Sequence, residues 1–352
     1  MSNIQDVAKH AGVSIATVSR VLNGSAPVKD EVRKRVEAAI EALSYRPNPA
    51  ARSLRSNKSR IIGLLVSDIQ NPLFMGLIRG VEDEALKHEY SVILCNSNES
   101  PPRERQYLDV LYIERVAGVI VVPTSENLGE ETLKRFRERG VPIIAVDRRV
   151  KDPSIDAVLS DSIRGAREAV GHLIANGYKR IAIITGPESV TTGRDRLQSY
   201  RQTLTSAGIE TNNELERIGS FTMESGYALT EQLLNLSPRP DALFIANNMM
   251  TLGALNAIYA RGLRVPEDVA IVSYDYTQWA EPGPVSITSV MQPARELGST
   301  AALRLFQRLR DPDISSRQEI LLAPTLQIGE SSRRAEGERA VATVAGSATE
   351  QT

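Results

Sequence analysis

Seven times after residue 60 the chain runs through three to six consecutive apolar residues and then breaks into polar, proline or glycine positions. These runs lie at 61–66, 92–94, 119–122, 143–146, 181–184, 242–245 and 269–272. Between them are stretches with apolar residues three and four apart, such as 72–88, 162–176 and 249–261, the spacing of an amphipathic helix. Strands that are apolar throughout must be covered on both faces. Their alternation with helices therefore implies parallel sheets layered between helices.

In such sheets ligands bind beyond the carboxyl ends of the strands. The residues just past the runs, or in the segments that follow them, are Asn71-Pro72-Leu73-Phe74, Asp147-Arg148, Arg194 with Arg196, Phe221, Asn247-Asn248, and Asp275 followed by Trp279. Carboxylates, guanidinium groups and amides take paired hydrogen bonds from hydroxyls, and aromatic faces stack on sugar C–H faces. Taken singly, each has a plainer reading: a strand-end aspartate as a helix cap, Phe74 as core, Arg194 as a surface ion pair. Their convergence on one cleft is what points to a binding site.

Charge is unevenly placed. The chain has a net charge of −1, yet residues 1–60 hold 11 Lys+Arg against 5 Asp+Glu and the remainder 31 against 38. A basic head on an acidic body is the footprint of nucleic-acid binding. Within that head, Ile4, Val7, Ala8 and Ala11 make one helical face, Gly12 suits a helix-ending turn, and Ser14 is placed to cap a second helix of about residues 15–22. A third helix of about residues 30–43 would bury Val32, Val36, Ile40 and Leu43. Helix, tight glycine turn and helix is the helix-turn-helix arrangement, whose second helix enters the major groove. Its outward positions are Ile15, Ala16, Thr17, Ser19 and Arg20, which suit thymine methyls, base edges and phosphates. After it, Pro47 and Pro49 break the helix, and residues 50–55 are too few to be helical alone in water.

The wording of the head is more specific than its pattern. Residues 4–23, IQDVAKHAGVSIATVSRVLN, closely resemble the DNA-binding head of the lactose/galactose repressor (LacI) family. Tyr45-Arg46-Pro47-Asn48 and Ala50-Ala51-Arg52-Ser53-Leu54 resemble that family's hinge, and the resemblance continues to about residue 332. It implies a small all-α helix-turn-helix head and an α/β periplasmic-binding-protein-like body of two doubly wound parallel-sheet lobes joined by three crossovers. It also implies a hinge helix that pairs with its dimer mate in the minor groove, where Leu54 matches a leucine wedged into the central base step. A flexible CG step at the operator centre would accept that kink. DNA contacts are expected from Ser14, Ile15, Ala16, Thr17, Ser19, Arg20, Asn23, Tyr45, Ala51, Arg52 and Leu54. In the body, Phe74, Asp147, Arg196, Asn247, Asp275 and Trp279 match positions that line the family's effector pocket, to which the strand-end reading adds Asn71, Arg194 and Phe221. Asn248 stands where the family usually has aspartate.

The expected organisation is a head at 1–46, a hinge and linker at 47–60, and an effector body at 61–332. The body would divide into an N-lobe of about 61–160 and 293–323 and a C-lobe of about 161–290 and 324–332, with a disordered tail at 333–352. The tail carries no leucine heptad, so a homodimer on a pseudo-palindromic operator is expected rather than a tetramer. The effector reading favours a sugar or sugar derivative over a purine base or nucleoside, or a protein co-regulator. Cys95 alone cannot make a disulfide framework or a cysteine zinc site, and three scattered histidines make no metal cluster. Neither metal nor cofactor is expected. Phosphate-loop, dinucleotide and nucleophile-elbow motifs are lacking, which speaks against catalysis. No apolar run of about 18 residues and no basic, apolar leader occur, so no membrane span or export signal is expected and the cytoplasm is the expected compartment.

Overall fold

The structure, a computed structural model, describes residues 3–23, 27–45, 59–275, 285–311 and 316–334. The chain divides into two compact units, 1–59 and 60–352. Ala51, Arg52, Leu54, Trp279, the side chain of Asn23 and the tail from residue 335 lie outside the described residues.

In the first unit, three helices build a miniature core: α1 (Ile4–Ala11), α2 (Ile15–Asn23) and α3 (Asp30–Ala42). Asn3 starts α1 with a capping box. Its side-chain oxygen accepts from the N–H groups of Gln5 and Asp6, while Asp6 Oδ2 accepts from Asn3 N. Gly12 ends α1 with φ +60°, a left-handed conformation that costs glycine little. Ser14 Oγ then accepts from Thr17 N, capping α2. Val7, Val18, Val36 and Ala39 are fully buried. Val32, Ile40 and Leu43 are only half-buried, and α3 stops at Ala42, because Ala39 takes the innermost position of that face. Arg35 of α3 locks the turn by donating to the carbonyls of Ala11 and Gly12.

The second unit repeats one plan twice. Its first half comprises β1 (Ile61–Val66), α4 (Pro72–Lys87), β2 (Ser91–Asn96), α5 (Pro101–Ile113), β3 (Gly118–Val121), α6 (Glu130–Glu138), β4 (Ile143–Val146) and β5 (Asp156–Ser160). Its second half comprises α7 (Ser162–Ala175), β6 (Ile181–Thr185), α8 (Thr191–Ser206), β7 (Glu216–Ile218), α9 (Met223–Leu234), β8 (Ala242–Ile245), α10 (Asn248–Ala260), β9 (Ala270–Tyr274) and β10 (Thr288–Met291). The chain closes with α11 (Ala294–Arg310), β11 (Glu319–Leu322) and β12 (Thr325–Gln327). One sheet has the order β11-β5-β4-β3-β1-β2 and is parallel throughout; the other has the order β12-β10-β9-β8-β6-β7 and is parallel except for β12. The chain therefore passes between the sheets at 160–162, 291–294 and 322–325.

Alternation along each strand fills both faces. Ile62, Leu64 and Val66 join one core of the first sheet with Leu297 and Leu305 of α11, while Leu65, Val119 and Val121 join the core opposite. In the second sheet Ile183, Phe244 and Val272 face one core and Ile184, Leu243 and Ile271 the other. Helices α4 and α11 touch backbone to backbone at Gly80, where a Cβ would overlap the Arg295 carbonyl. The body also runs past the expected boundary at 332, since the Arg334 guanidinium donates to Gly177 O. Among the described residues no helix is long and apolar enough to cross a membrane.

Candidate functional site

Two aspartates occupy corresponding places. Asp147 follows β4 and Asp275 follows β9, each the residue after the fourth strand of its sheet. Both are left-handed, at φ +67° and +59°. Each donates its N–H to the next strand, Asp147 to Val158 O at 2.9 Å and Asp275 to Val290 O at 2.8 Å. Aspartate tolerates this region better than most side chains, yet holding it there costs on the order of 1 kcal/mol. Both carboxylates are buried, at 6% and 7% exposure.

Arg196, on α8, supplies charge to both. Burial pushes both carboxyls up, Asp275 to about 6, and in each case the nearby arginines hold the shift back. The Arg196 guanidinium donates to Ala246 O at 2.7 Å and lies 3.6 Å over the ring of Tyr274. Gln292, just past β10, holds Asp275: its backbone N–H donates to Oδ1 at 3.0 Å and its side-chain amide to Oδ2. Arg148 stands between Asp147 and Phe221, with Nε 3.5 Å from Asp147 Oδ2 and its guanidinium 5.2 Å from the Phe221 ring. Asp147 and Arg148 belong to the first lobe, Arg196, Phe221 and Asp275 to the second, so the group spans the cleft.

This group holds unspent hydrogen-bonding capacity. Asp147 Oδ1, Arg148 Nε, Arg196 Nε and Gln292 Oε1 are buried with no hydrogen-bond partner among the described residues, Arg148 Nε keeping only its 3.5 Å ionic contact with Asp147 Oδ2. Buried polar atoms are almost always satisfied. Two acceptors and two donors left over at one place fit a small ligand that both gives and receives hydrogen bonds.

Other expected site residues are engaged elsewhere. Asn71 caps α4, its Oδ1 accepting from Leu73 N at 3.0 Å, and the same oxygen accepts from Asn248 Nδ2 at 2.8 Å. Asn248 Oδ1 accepts from Met249 N, so an aspartate there would set a carboxylate oxygen against the Asn71 carbonyl. Asn71 and Asn248 thus make a neutral amide–amide hydrogen bond between the lobes. Asn247 caps α10 through Met250 N. Phe74 is 1% exposed and packs in the first-lobe core. Arg194 does not join the buried group: its guanidinium pairs two-pronged with Glu126 of the first lobe at 3.1 and 3.0 Å and is 40% exposed. Beside it Arg149 bonds Asp195 at 2.9 Å, making an ionic rim.

Gln292 was invisible in the sequence because it follows Thr288-Ser289-Val290-Met291, a strand with two hydroxyl residues and no apolar run. In the sequence Arg148 stands only as the neighbour of Asp147, and its place one residue past a strand-end aspartate is the signal for it.

On the head, Ile15, Ala16 and Arg20 are exposed and Thr17 and Ser19 half-buried, with Thr17 Oγ1 2.9 Å from Ser14 Oγ. Tyr45 packs partly buried against the three-helix core.

Residues 3–48 match the family described as "Bacterial regulatory proteins, lacI family", and residues 59–325 match "Periplasmic binding proteins and sugar binding domain of LacI family". The chain is 35% identical to the HTH-type transcriptional repressor PurR of Mannheimia succiniciproducens, over 95% of this chain and 99% of that one. It is also 35% identical to the ribose operon repressor of Escherichia coli K12, over 93% and 98%. Among solved structures it resembles the lac repressor dimer bound to operator and the anti-inducer ONPF, with TM-score 0.82 and 30% identity, covering 95% of this chain and 99% of that one.

Proposed function

The chain belongs to the LacI family of bacterial regulatory proteins, and on that premise we propose that it is a transcriptional repressor that binds operator DNA as a dimer and releases it when a sugar closes the body's cleft. It acts in the cytoplasm as a regulator rather than an enzyme. The second helix of the head reads the major groove through Ile15, Ala16, Thr17, Ser19 and Arg20, with Ser14, Asn23 and Tyr45 beside it, while Ala51, Arg52 and Leu54 serve the hinge. Phosphate contacts from Arg20 and Arg52 make the affinity fall steeply with salt.

The observation that carries the effector reading is the buried group about Asp147, Arg196 and Asp275, with its unpartnered acceptors and donors. Sugar hydroxyls each donate and accept, which answers both. Phe221, buried with the Arg148 guanidinium 5.2 Å from its ring, is the described aromatic nearest the group, and Trp279, outside the described residues, is the second aromatic the sequence assigns to a sugar's C–H face. The ribose operon repressor among the relatives makes D-ribose the first compound to try.

Closure must favour one dimer arrangement by differential contacts. A thermal-shift series with monosaccharides and purine bases tests the reading. A bound sugar raises apparent stability by about 2.7 kcal/mol at a hundredfold excess over its dissociation constant, and it should lower operator occupancy in a gel-shift assay. Stabilisation by hypoxanthine or guanine, with none by any sugar, would overturn the sugar assignment.

A further inference from the structure

Among the described residues, Arg148 and Arg196 supply the guanidinium groups of the buried group, and the fork of Arg148 is already committed. Arg148 makes a two-pronged pair with Glu99, Nη1 to Oε2 at 2.8 Å and Nη2 to Oε1 at 2.7 Å, and a third bond to Pro123 O at 3.1 Å. Arg196 donates to a backbone carbonyl, stacks on Tyr274 and faces two aspartates. Arg194, the third candidate, is held on the rim by Glu126. Against these two cations stand Glu99, Asp147 and Asp275, with Glu104 buried behind Arg148 at 1% exposure. The buried group therefore carries more carboxylates than guanidinium groups.

Resting on the sugar reading above, we infer that the cleft takes a neutral polyhydroxylated ligand and turns away its phosphorylated and acidic counterparts, with Glu99 setting this preference by occupying Arg148. A phosphate or carboxylate needs a guanidinium fork free to take it side by side. Here the Arg148 fork is turned to Glu99 and its Nε lies in ionic contact with Asp147 at 3.5 Å, while Arg196 has given Nη1 to the Ala246 carbonyl and keeps only Nε without a hydrogen-bond partner. An anion would enter a desolvated space that already holds more carboxyl than guanidinium groups, where an uncompensated charge is strongly disfavoured. A hydroxyl meets no such barrier, because it can donate to Asp147 Oδ1 or Gln292 Oε1 and accept from the Nε groups. Glu99 touches no ligand in this scheme. It works through Arg148, as a positioning residue.

The test is calorimetric titration of the full-length protein with D-ribose, D-xylose, D-glucose and D-galactose, each paired with its uronic acid and its phosphate ester. The uronic acid replaces CH2OH by a carboxylate of similar size, which separates charge from bulk. Wild type is expected to bind a neutral sugar at least about 100-fold more tightly than the paired acid or ester. Glu99→Gln, its fold checked by a cooperative melt, is expected to narrow that ratio to about tenfold or less by freeing the Arg148 fork. If Glu99→Gln gives no such melt, Glu99→Ser, a smaller neutral replacement that leaves room for water, carries the same comparison. Binding of an acid or ester by wild type as tightly as its neutral partner overturns the inference and leaves the sugar reading standing. A full ratio retained in the Glu99 variant overturns the role of Glu99. No heat from any of these compounds, with hypoxanthine titrated beside them binding, removes the sugar reading and the inference with it.

Discussion

Asp147 and Asp275 stand at the same place in two sheets of corresponding strand order, and they differ in what holds them. Asp275 is fastened from below by the backbone and side chain of Gln292, so both of its oxygens are oriented before any ligand arrives. Asp147 has one oxygen near Arg148 and the other without a partner among the described residues. The second lobe thus presents a preset acceptor, and the first an acceptor still to be satisfied. A shared backbone plan fixes where a carboxylate sits. What it costs to bury there is decided by side chains from neighbouring connections.

The largest effect is expected from removing what the two lobes share. Arg196→Met leaves both aspartates without the cation between them and is expected to lower unfolding free energy by about 3–5 kcal/mol, read from urea melts of the unliganded protein. A loss under about 1 kcal/mol would show that the two carboxylates are not coupled through it. Next comes the pair Asp275→Asn and Asp147→Asn. The first turns an amide against the Gln292 donors and should cost about 1–3 kcal/mol. The second removes a buried charge that has no full hydrogen bond to lose, so its melt should lie within about 1 kcal/mol of the parent. Equal losses in the two variants would erase the distinction between the lobes.

Smallest is the response to pH. Burial raises Asp275 from 3.8 to about 6 and Glu104 from 4.5 to about 7, and moves Asp147 in the same direction. Each group takes up its proton at higher pH in the folded chain than in the unfolded one. The folded state therefore binds more protons between the two values, and stability falls as pH rises through that window. Glu99, Glu126, Asp152 and Asp156 are shifted down instead, so their contribution is lost only at more acidic pH. Burial lowers the pKa of His172, which opposes this trend in the same window, but three carboxyls act against one imidazole, so the melting temperature of the unliganded protein should decline from about pH 5 to about pH 7.5, less steeply in Asp275→Asn. A flat profile in the wild type would mean that these carboxyls are better solvated than their burial implies.

Much of the fold was legible because both faces of the central strands are covered: β1, β4 and β8 coincide with apolar runs at 61–66, 143–146 and 242–245. The strands that escaped notice carry polar groups. Asp156 opens β5 because Arg304 and Arg308 of α11 neutralise it, and β7, β11 and β12 are short edge strands with partly exposed faces. At the site, Asp147, Arg196, Phe221 and Asp275 could be read because strand ends are where such sheets bind ligands. Glu99 could not. Its partner lies 49 residues away, and only the folded chain brings them together. Arg194 looked equivalent to Arg196 in sequence, but residues two apart on a helix face different directions, one toward the rim and the other toward the buried carboxylates.

Gln292 has one more property, which follows from where the chain goes next. It lies on the 291–294 passage, between the last residue of β10 in one lobe and the first of α11 in the other. Two residues later the chain enters a helix whose backbone touches α4 at Gly80. A hydroxyl that takes Gln292 Oε1 would therefore be tethered to a strut that runs from one lobe into the other, and not only to the walls they present to each other.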